Sequence, residues 1–140
     1  INTTRVIYRA LPDVNSLKEL VKQEEVNCLA LNIYREANNQ SVVGMIAVGR
    51  VVMNRVMDRR YPPDTCSVIF EGPLVESWKT RRNRAWKTAE DIAYQILAFD
   101  KWRGVLEGAT HYHANYVSPS WSHKLKHIAT IDDHIFYKRG

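Results

Sequence analysis

The sequence predicts a single α+β domain, with helices first and a small antiparallel sheet last. Three observations carry that reading. Pro and Gly are sparse before residue 60 and then cluster at Pro62-Pro63, Gly72-Pro73, Gly104, Gly108 and Pro119. Apolar residues recur with the 3.6-residue period of a helix as far as about Lys101. After Gly108 the period drops to two, that of a strand. At 140 residues the chain has the length of one domain, and residues 1–140 read as one unit with 1–15 as an N-terminal arm.

The elements follow in order. Ser16-Leu17-Lys18-Glu19 has the capping-box form and predicts a helix start. From Val26 the apolar residues fall at 26, 29, 30, 33, 34 and 37, the stripe of an amphipathic helix, which Asn38-Asn39 ends. Ser41 is a candidate cap for a second helix, about Val42 to Asp58. That helix is apolar nearly all round, the mark of burial, with Arg50 and Asn54 as its one polar edge. Tyr61 to Asp64 reads as a loop, with Asp64 capping a short turn from Thr65 to Phe70. Glu71 to Asn83 reads as irregular. A third long helix is expected from about Arg84 to Lys101, burying Ala85, Trp86, Ala89, Ile92, Ala93, Ile96 and Leu97. Thr110 to Ala114 is a strand of β-formers, and Lys126–Ile131 and His134–Lys138 are two more, joined by a two-residue Asp132-Asp133 turn.

Composition excludes several classes. An apolar fraction of 45% and a charged fraction of 25% are ordinary for a folded domain, which rules out disorder and fibres. No window approaches 18 consecutive apolar residues, so no transmembrane helix is expected. Ile1 to Ala10 holds Arg5 and Arg9 but no long apolar run, and does not read as a signal peptide. The net charge of +5 favours an anionic partner, nucleic acid or an anionic envelope polymer. Two cysteines, Cys28 and Cys66, are too few for a disulfide scaffold or a zinc finger; they are two buried thiols or one bridge.

Four groups of residues could carry chemistry. Glu36 lies at the shoulder of the apolar stripe, close in angle to Leu29 and Ile33, one residue before its helix ends. Partial desolvation there would raise its pKa, as a general acid requires; pairing with an Arg such as Arg50 or Arg55, or simple exposure at the helix terminus, is the structural alternative. No second carboxylate is forced near it, and only Glu76 looks free to swing into a cleft. His111 and His113 share a strand face, and His123 and His127 would share a helix face, spacings that can hold zinc. Lys79, Arg81, Arg82, Arg84 and Lys87, interleaved with Trp78 and Trp86, could suit single-stranded nucleic acid, a saccharide polymer or plain solvent.

Read together, three segments resemble the SleB-type cell wall hydrolases, a family that includes spore-cortex-lytic enzymes and phage endolysins. Cys28 to Ala37 contains Tyr34-Arg35-Glu36-Ala37, similar to the family's Tyr-x-Glu-Ala helix. Gly44 to Val56 resembles the helix that follows. Gly108-Ala109-Thr110-His111-Tyr112-His113-Ala114-Asn115-Tyr116-Val117-Ser118-Pro119-Ser120-Trp121 is the strongest match, with His134-Ile135-Phe136-Tyr137 near the end. The resemblance implies a lysozyme-like domain that cuts the glycan strands of peptidoglycan as a lytic transglycosylase, with Glu36 as general acid and base. It implies Ser77, Trp78, Tyr112, His113 and Trp121 as substrate-binding residues. It calls for no cofactor or metal, no nucleic acid, no membrane insertion and a monomer. Muramidase hydrolysis of the same strand is the alternative outcome, ahead of a zinc amidase using His111, His113 or His123, or a nucleic-acid-binding module.

Two departures stand out. The family usually continues Glu-Ala-Arg-Gly-Glu, and here the segment is Glu36-Ala37-Asn38-Asn39-Gln40, so the second acid has become Gln40. Lys79 to Arg82 replaces the Asp-Gly that commonly follows Ser-Trp. Envelope members of the family have cysteines at matching positions, which makes a Cys28–Cys66 bridge as plausible as two thiols. A small basic chain without a leader points to an endolysin made in the host cytoplasm and acting on the envelope.

Overall fold

The structure is a computed structural model and describes residues 22–69 and 83–140. Four helices precede a three-stranded sheet: α1 (Gln23–Ala37), α2 (Val42–Val56), α3 (Thr65–Ile69) and α4 (Arg84–Phe99), then β1 (His111–Ala114), a 3₁₀ turn (Ser120–Lys124), β2 (Lys126–Ile131) and β3 (His134–Lys138). The expected α+β class is what the chain adopts. The capping box at Ser16 lies outside the described residues, as does the irregular stretch from Glu71 to Arg82.

α1 is the central post, packed on α2, α3 and α4 at once. Its expected stripe (Val26, Leu29, Ala30, Ile33, Ala37) is buried, but so are Asn27, Cys28 and Leu31 on the other side. The amphipathic reading therefore gave one face where the fold buries nearly all. The reason is α3, whose five residues cover the side that bears Cys28. Glu25 holds α3 there: its carboxylate accepts from the Thr65 amide at 2.7 Å, the Thr65 hydroxyl at 2.6 Å and the Cys66 amide at 3.3 Å. A disulfide joins Cys28 to Cys66. Asp64 caps the segment as expected, accepting from the Ser67 amide at 2.8 Å.

α2 begins at Ser41, whose hydroxyl accepts from the Gly44 amide. Its polar edge is internal. Arg50 is 1% exposed and donates to the Asp100 carboxylate at 2.8 Å. Asn54 donates to the carbonyls of Leu106 and Ala109, and Arg55 Nε to that of Thr110 at 2.7 Å. These side chains pin the turn-rich segment between α4 and the sheet. Gly108 in that segment has φ 83°, a left-handed conformation that a side chain would strain.

α4 starts on Asn83, which caps the Trp86 amide, and ends on Asp100 in the left-handed region. Trp86 is 3% exposed and meets Tyr34 edge-on at 5.7 Å. It is a core residue, so the expected basic and aromatic strip cannot offer it for stacking; Trp78 and Lys79 to Arg82 lie outside the described residues.

The sheet has the order β1-β3-β2, antiparallel throughout. Tyr112 pairs with Phe136, and His113 with Ile135. Residues directly opposite share a face, so Tyr112, Ala114, His134 and Phe136 point one way and His111, His113 and Tyr137 the other. Phe136 is fully buried and marks the first face as the one on the helices. The Asp132-Asp133 turn docks back on α2. Asp132 accepts from the Ser41 amide at 2.8 Å and the Ser41 hydroxyl at 2.6 Å. Gly44 permits that approach, since a Cβ there would sit 2.5 Å from the Asp132 carboxylate.

Candidate active site

Where the helices meet the sheet, a groove of about 540 Å³ opens, within the range of small-ligand sites. One wall is the C-terminal end of α1, with Asn32, Arg35 and Glu36. α2 supplies Val51, Val52 and Arg55, and α3 supplies Val68 and Ile69. The sheet gives Tyr112, His113, Ala114 and His134, with Tyr116 just beyond β1.

Glu36 is the only carboxylate among the described residues that line this groove. Its side chain is exposed, which corrects the expectation of an acid partly desolvated by the apolar stripe. The physical reason is its place on the last turn of α1, on a side turned to the open groove, while Ile33 and Ala37 on the neighbouring side stay buried in the core. Neither Arg50 nor any other described residue pairs with it; Arg50 is turned inward to Asp100.

Tyr112 and His134 stand opposite. Their rings meet edge-on at 5.2 Å, and both pack on Phe136. Burial, reinforced by the charge of Glu36, pushes the Tyr112 hydroxyl up from its ordinary range, so it remains a neutral donor. Burial lowers the His134 imidazole, against the opposing pull of Glu36, Asp133 and Asp132. His134 is 7% exposed, and its Nδ1 has no hydrogen-bond partner among the described residues. The electrostatic coupling of both groups to Glu36 places the three around one space.

His113 reaches the groove edge but belongs mainly to the outer sheet face. Its Nδ1 lies 2.7 Å from the Ala114 carbonyl, which can only accept, so Nδ1 carries the proton. Nε2 then accepts from the Tyr137 hydroxyl at 2.8 Å. Trp121 is not among the groove residues. The 3₁₀ turn folds it onto that outer face, against His111 at 5.3 Å, His113 at 5.6 Å and Tyr137 at 5.6 Å. Ser77, Trp78 and Glu76 lie outside the described residues. His123 and His127 share no helix, since one is in the 3₁₀ turn and the other on β2. Among the described residues no three His, Cys, Asp or Glu side chains converge as metal ligands do.

Sequence reasoning missed five polar groove residues: Asn32, Arg35, Arg55 as a lining residue, Tyr116 and His134. His134 was within reach of the sequence: strand alternation sets it on the face of Phe136 once β3 is paired with β1.

The profile of the Cell Wall Hydrolase family matches residues 39–137, from the loop after α1 through the sheet. Glu36 lies three residues before that segment. The chain is 24% identical over 129 residues to a spore cortex-lytic enzyme of Oceanobacillus iheyensis, covering 91% of this chain and 46% of that protein. It is 27% identical over 114 residues to one of Halalkalibacterium halodurans, covering 80% of this chain and 34% of that protein. The chain thus spans about half the length, or less, of the curated relatives it matches. Among solved structures it resembles the catalytic domain of the germination-specific lytic transglycosylase SleB from Bacillus anthracis, at TM-score 0.65 and 25% identity, covering 84% of this chain and 96% of that one.

Proposed function

Because this chain belongs to the Cell Wall Hydrolase family, we propose that it cleaves the glycan strand of peptidoglycan as a lytic transglycosylase, with Glu36 as acid and then base. The observation that carries this reading is a lone carboxylate in the described lining of a saccharide-sized groove, facing a neutral Tyr112 and a neutral His134. Hydrolysis by the usual two-carboxylate routes needs a second acid at a set distance. A transglycosylase needs one. The Glu36 carboxyl gives its proton to the glycosidic oxygen as that bond to C1 breaks. The carboxylate so formed takes the proton of the muramic acid C6 hydroxyl, whose oxygen bonds to C1. Glu36 is then protonated again, no water is consumed, and the new end is a 1,6-anhydro sugar.

The cycle starts from the Glu36 carboxyl in its acid form, and a glycan strand filling the groove excludes water from the reacting atoms. In this reading the Tyr112 hydroxyl and the His134 ring, which line the same groove, bind the sugar beside Glu36. A polymer outside the cytoplasm also suits the Cys28–Cys66 bridge, since disulfides persist in oxidising compartments. An endolysin role is part of the same proposal.

The test is purified peptidoglycan digested by wild type and Glu36→Gln. Loss of a general acid-base group costs roughly 10²- to 10⁴-fold, and the exposed position predicts an unchanged melting temperature. Mass spectrometry of wild-type products should show anhydro ends. Hydrated reducing ends would make the enzyme a muramidase, and full activity in Glu36→Gln would remove the mechanism.

A further inference from the structure

We propose that Arg35 and Arg55 form an anion-recognition pair in the groove, so that the enzyme selects glycan strands bearing carboxylates on the muramic acid C3 substituent. The inference rests on the functional reading above and deepens it. Both side chains line the groove with Glu36. The positive charge of each acts on the Tyr112 hydroxyl, which places them around the same space. Neither has a carboxylate partner among the described residues, whereas Arg50, Arg60 and Arg103 are all paired with Asp100 or Asp58.

Arg55 is half-used. Its Nε donates to the Thr110 carbonyl at 2.7 Å, and its guanidinium lies over Tyr61, 5.3 Å from the ring centre. Those contacts fix the plane of the group while both terminal nitrogens keep their donors. A guanidinium held in place with a free fork is suited to a carboxylate. The Arg35 side chain, on the last turn of α1, makes no hydrogen bond to the described residues. The rest of the polar lining supplies no carboxylate: Asn32, Tyr112, His113, Tyr116 and the buried His134. With Glu36 ionised the described lining carries two cations against one anion, and with Glu36 protonated it carries two cations alone. A neutral polysaccharide would leave that charge unmatched.

Peptidoglycan offers the matching group in one place. The C3 lactyl ether of muramic acid ends in a carboxyl, which is free when the stem peptide is absent. When the peptide is present, the peptide's own carboxylates take its place. The shared chemistry is a carboxylate on the C3 arm, and the experiment separates the two sources.

Three substrates are compared: intact peptidoglycan, strands stripped of peptide by an amidase, and peptidoglycan whose carboxylates are converted to carboxamides with carbodiimide and ammonia. Wild type should prefer native over amidated strands by about 10-fold in kcat/KM, through KM, the scale of a charge-assisted hydrogen bond. That preference should collapse in Arg35→Gln and partly return in Arg35→Lys. Arg55→Gln also loses the Thr110 contact, so its melting curve is read alongside. Equal activity on stripped strands names the lactyl carboxylate as the partner, and loss on them names the peptide. Amidated strands cut as fast as native ones would overturn the proposal, as would an unchanged preference in Arg35→Gln. Sedimentation of the Glu36→Gln protein with native and amidated sacculi reads the same preference without turnover. A binding preference with no cleavage by wild type would sink the transglycosylase reading and leave this one standing.

Discussion

At the scale of single residues, Gln40 shows what a departure from a family pattern means physically. Its amide nitrogen donates to the Asp133 carboxylate at 3.1 Å, and its amide oxygen accepts from the Asp133 backbone N–H at 2.9 Å. An amide can do both and a carboxylate cannot, so Gln40 serves the fold by tying the loop after α1 to the sheet turn. Restoring an acid there should harm rather than help. Gln40→Glu sets two carboxylates against each other at this exposed site and should cost about 1 kcal/mol. Melting curves at pH 7 and pH 4 check this: the loss should shrink at the lower pH, where the new acid protonates. A gain in cleavage rate would mean that the position does chemistry instead. Glu36 and Gln40 were both visible in the sequence, one from helix angle and one from the family pattern. What the sequence hid was their surroundings. The exposure of Glu36 depends on a groove being left open beside that side of α1, and the use of Gln40 depends on a turn more than 90 residues away. The place of Trp121 was hidden for a related reason, because nothing in Pro119-Ser120-Trp121 says which face of the sheet a 3₁₀ turn will reach.

At the scale of elements, strands and long helices were legible and their contacts were not. The Lys126–Ile131 and His134–Lys138 strands follow from two-residue alternation and an Asp-Asp turn, and they form with those limits. The polar edge of α2 was legible too, but as an edge. That Arg50 would be buried needed Asp100, which the left-handed end of α4 presents to it. The sheet turn carries a pH dependence. The hydrogen bonds from Ser41 hold the Asp132 carboxyl below its ordinary range. A lowered carboxyl contributes stability above its unfolded value, near pH 4, and loses it as pH falls through the lowered native value. The hairpin end should therefore loosen in acid, before the core does. Amide exchange at Ser41, followed from pH 6 down to pH 2, should show it, and Asp132→Asn should flatten that profile. Protection at Ser41 that is constant down to pH 2 would count against this.

At the scale of the whole molecule, the groove depends on whether α3 stays on α1. A five-residue helix is far too short to be stable alone. It brings Val68 and Ile69 to the groove, and its anchors are Glu25 and the Cys28–Cys66 bridge, on the same face of α1 but nearer its start. The bridge closes a loop across 38 positions, and in the chain-entropy account such a cross-link stabilises by about 4 kcal/mol. Reduction removes that term for the whole fold, and it releases α3 locally first, because only the Glu25 contacts and the packing of Val68 and Ile69 then hold it. Two consequences are expected with dithiothreitol, or in the Cys28→Ala/Cys66→Ala double variant. The melting temperature should fall by roughly 10 °C. Cleavage of peptidoglycan should decline at temperatures where far-ultraviolet circular dichroism still reports native helix, because the groove wall loosens before the core. If activity and helix content are instead lost together, α3 and the core unfold as one unit and the bridge acts on global stability alone. Unchanged melting on reduction would show that the Glu25 contacts and apolar packing hold the wall without it.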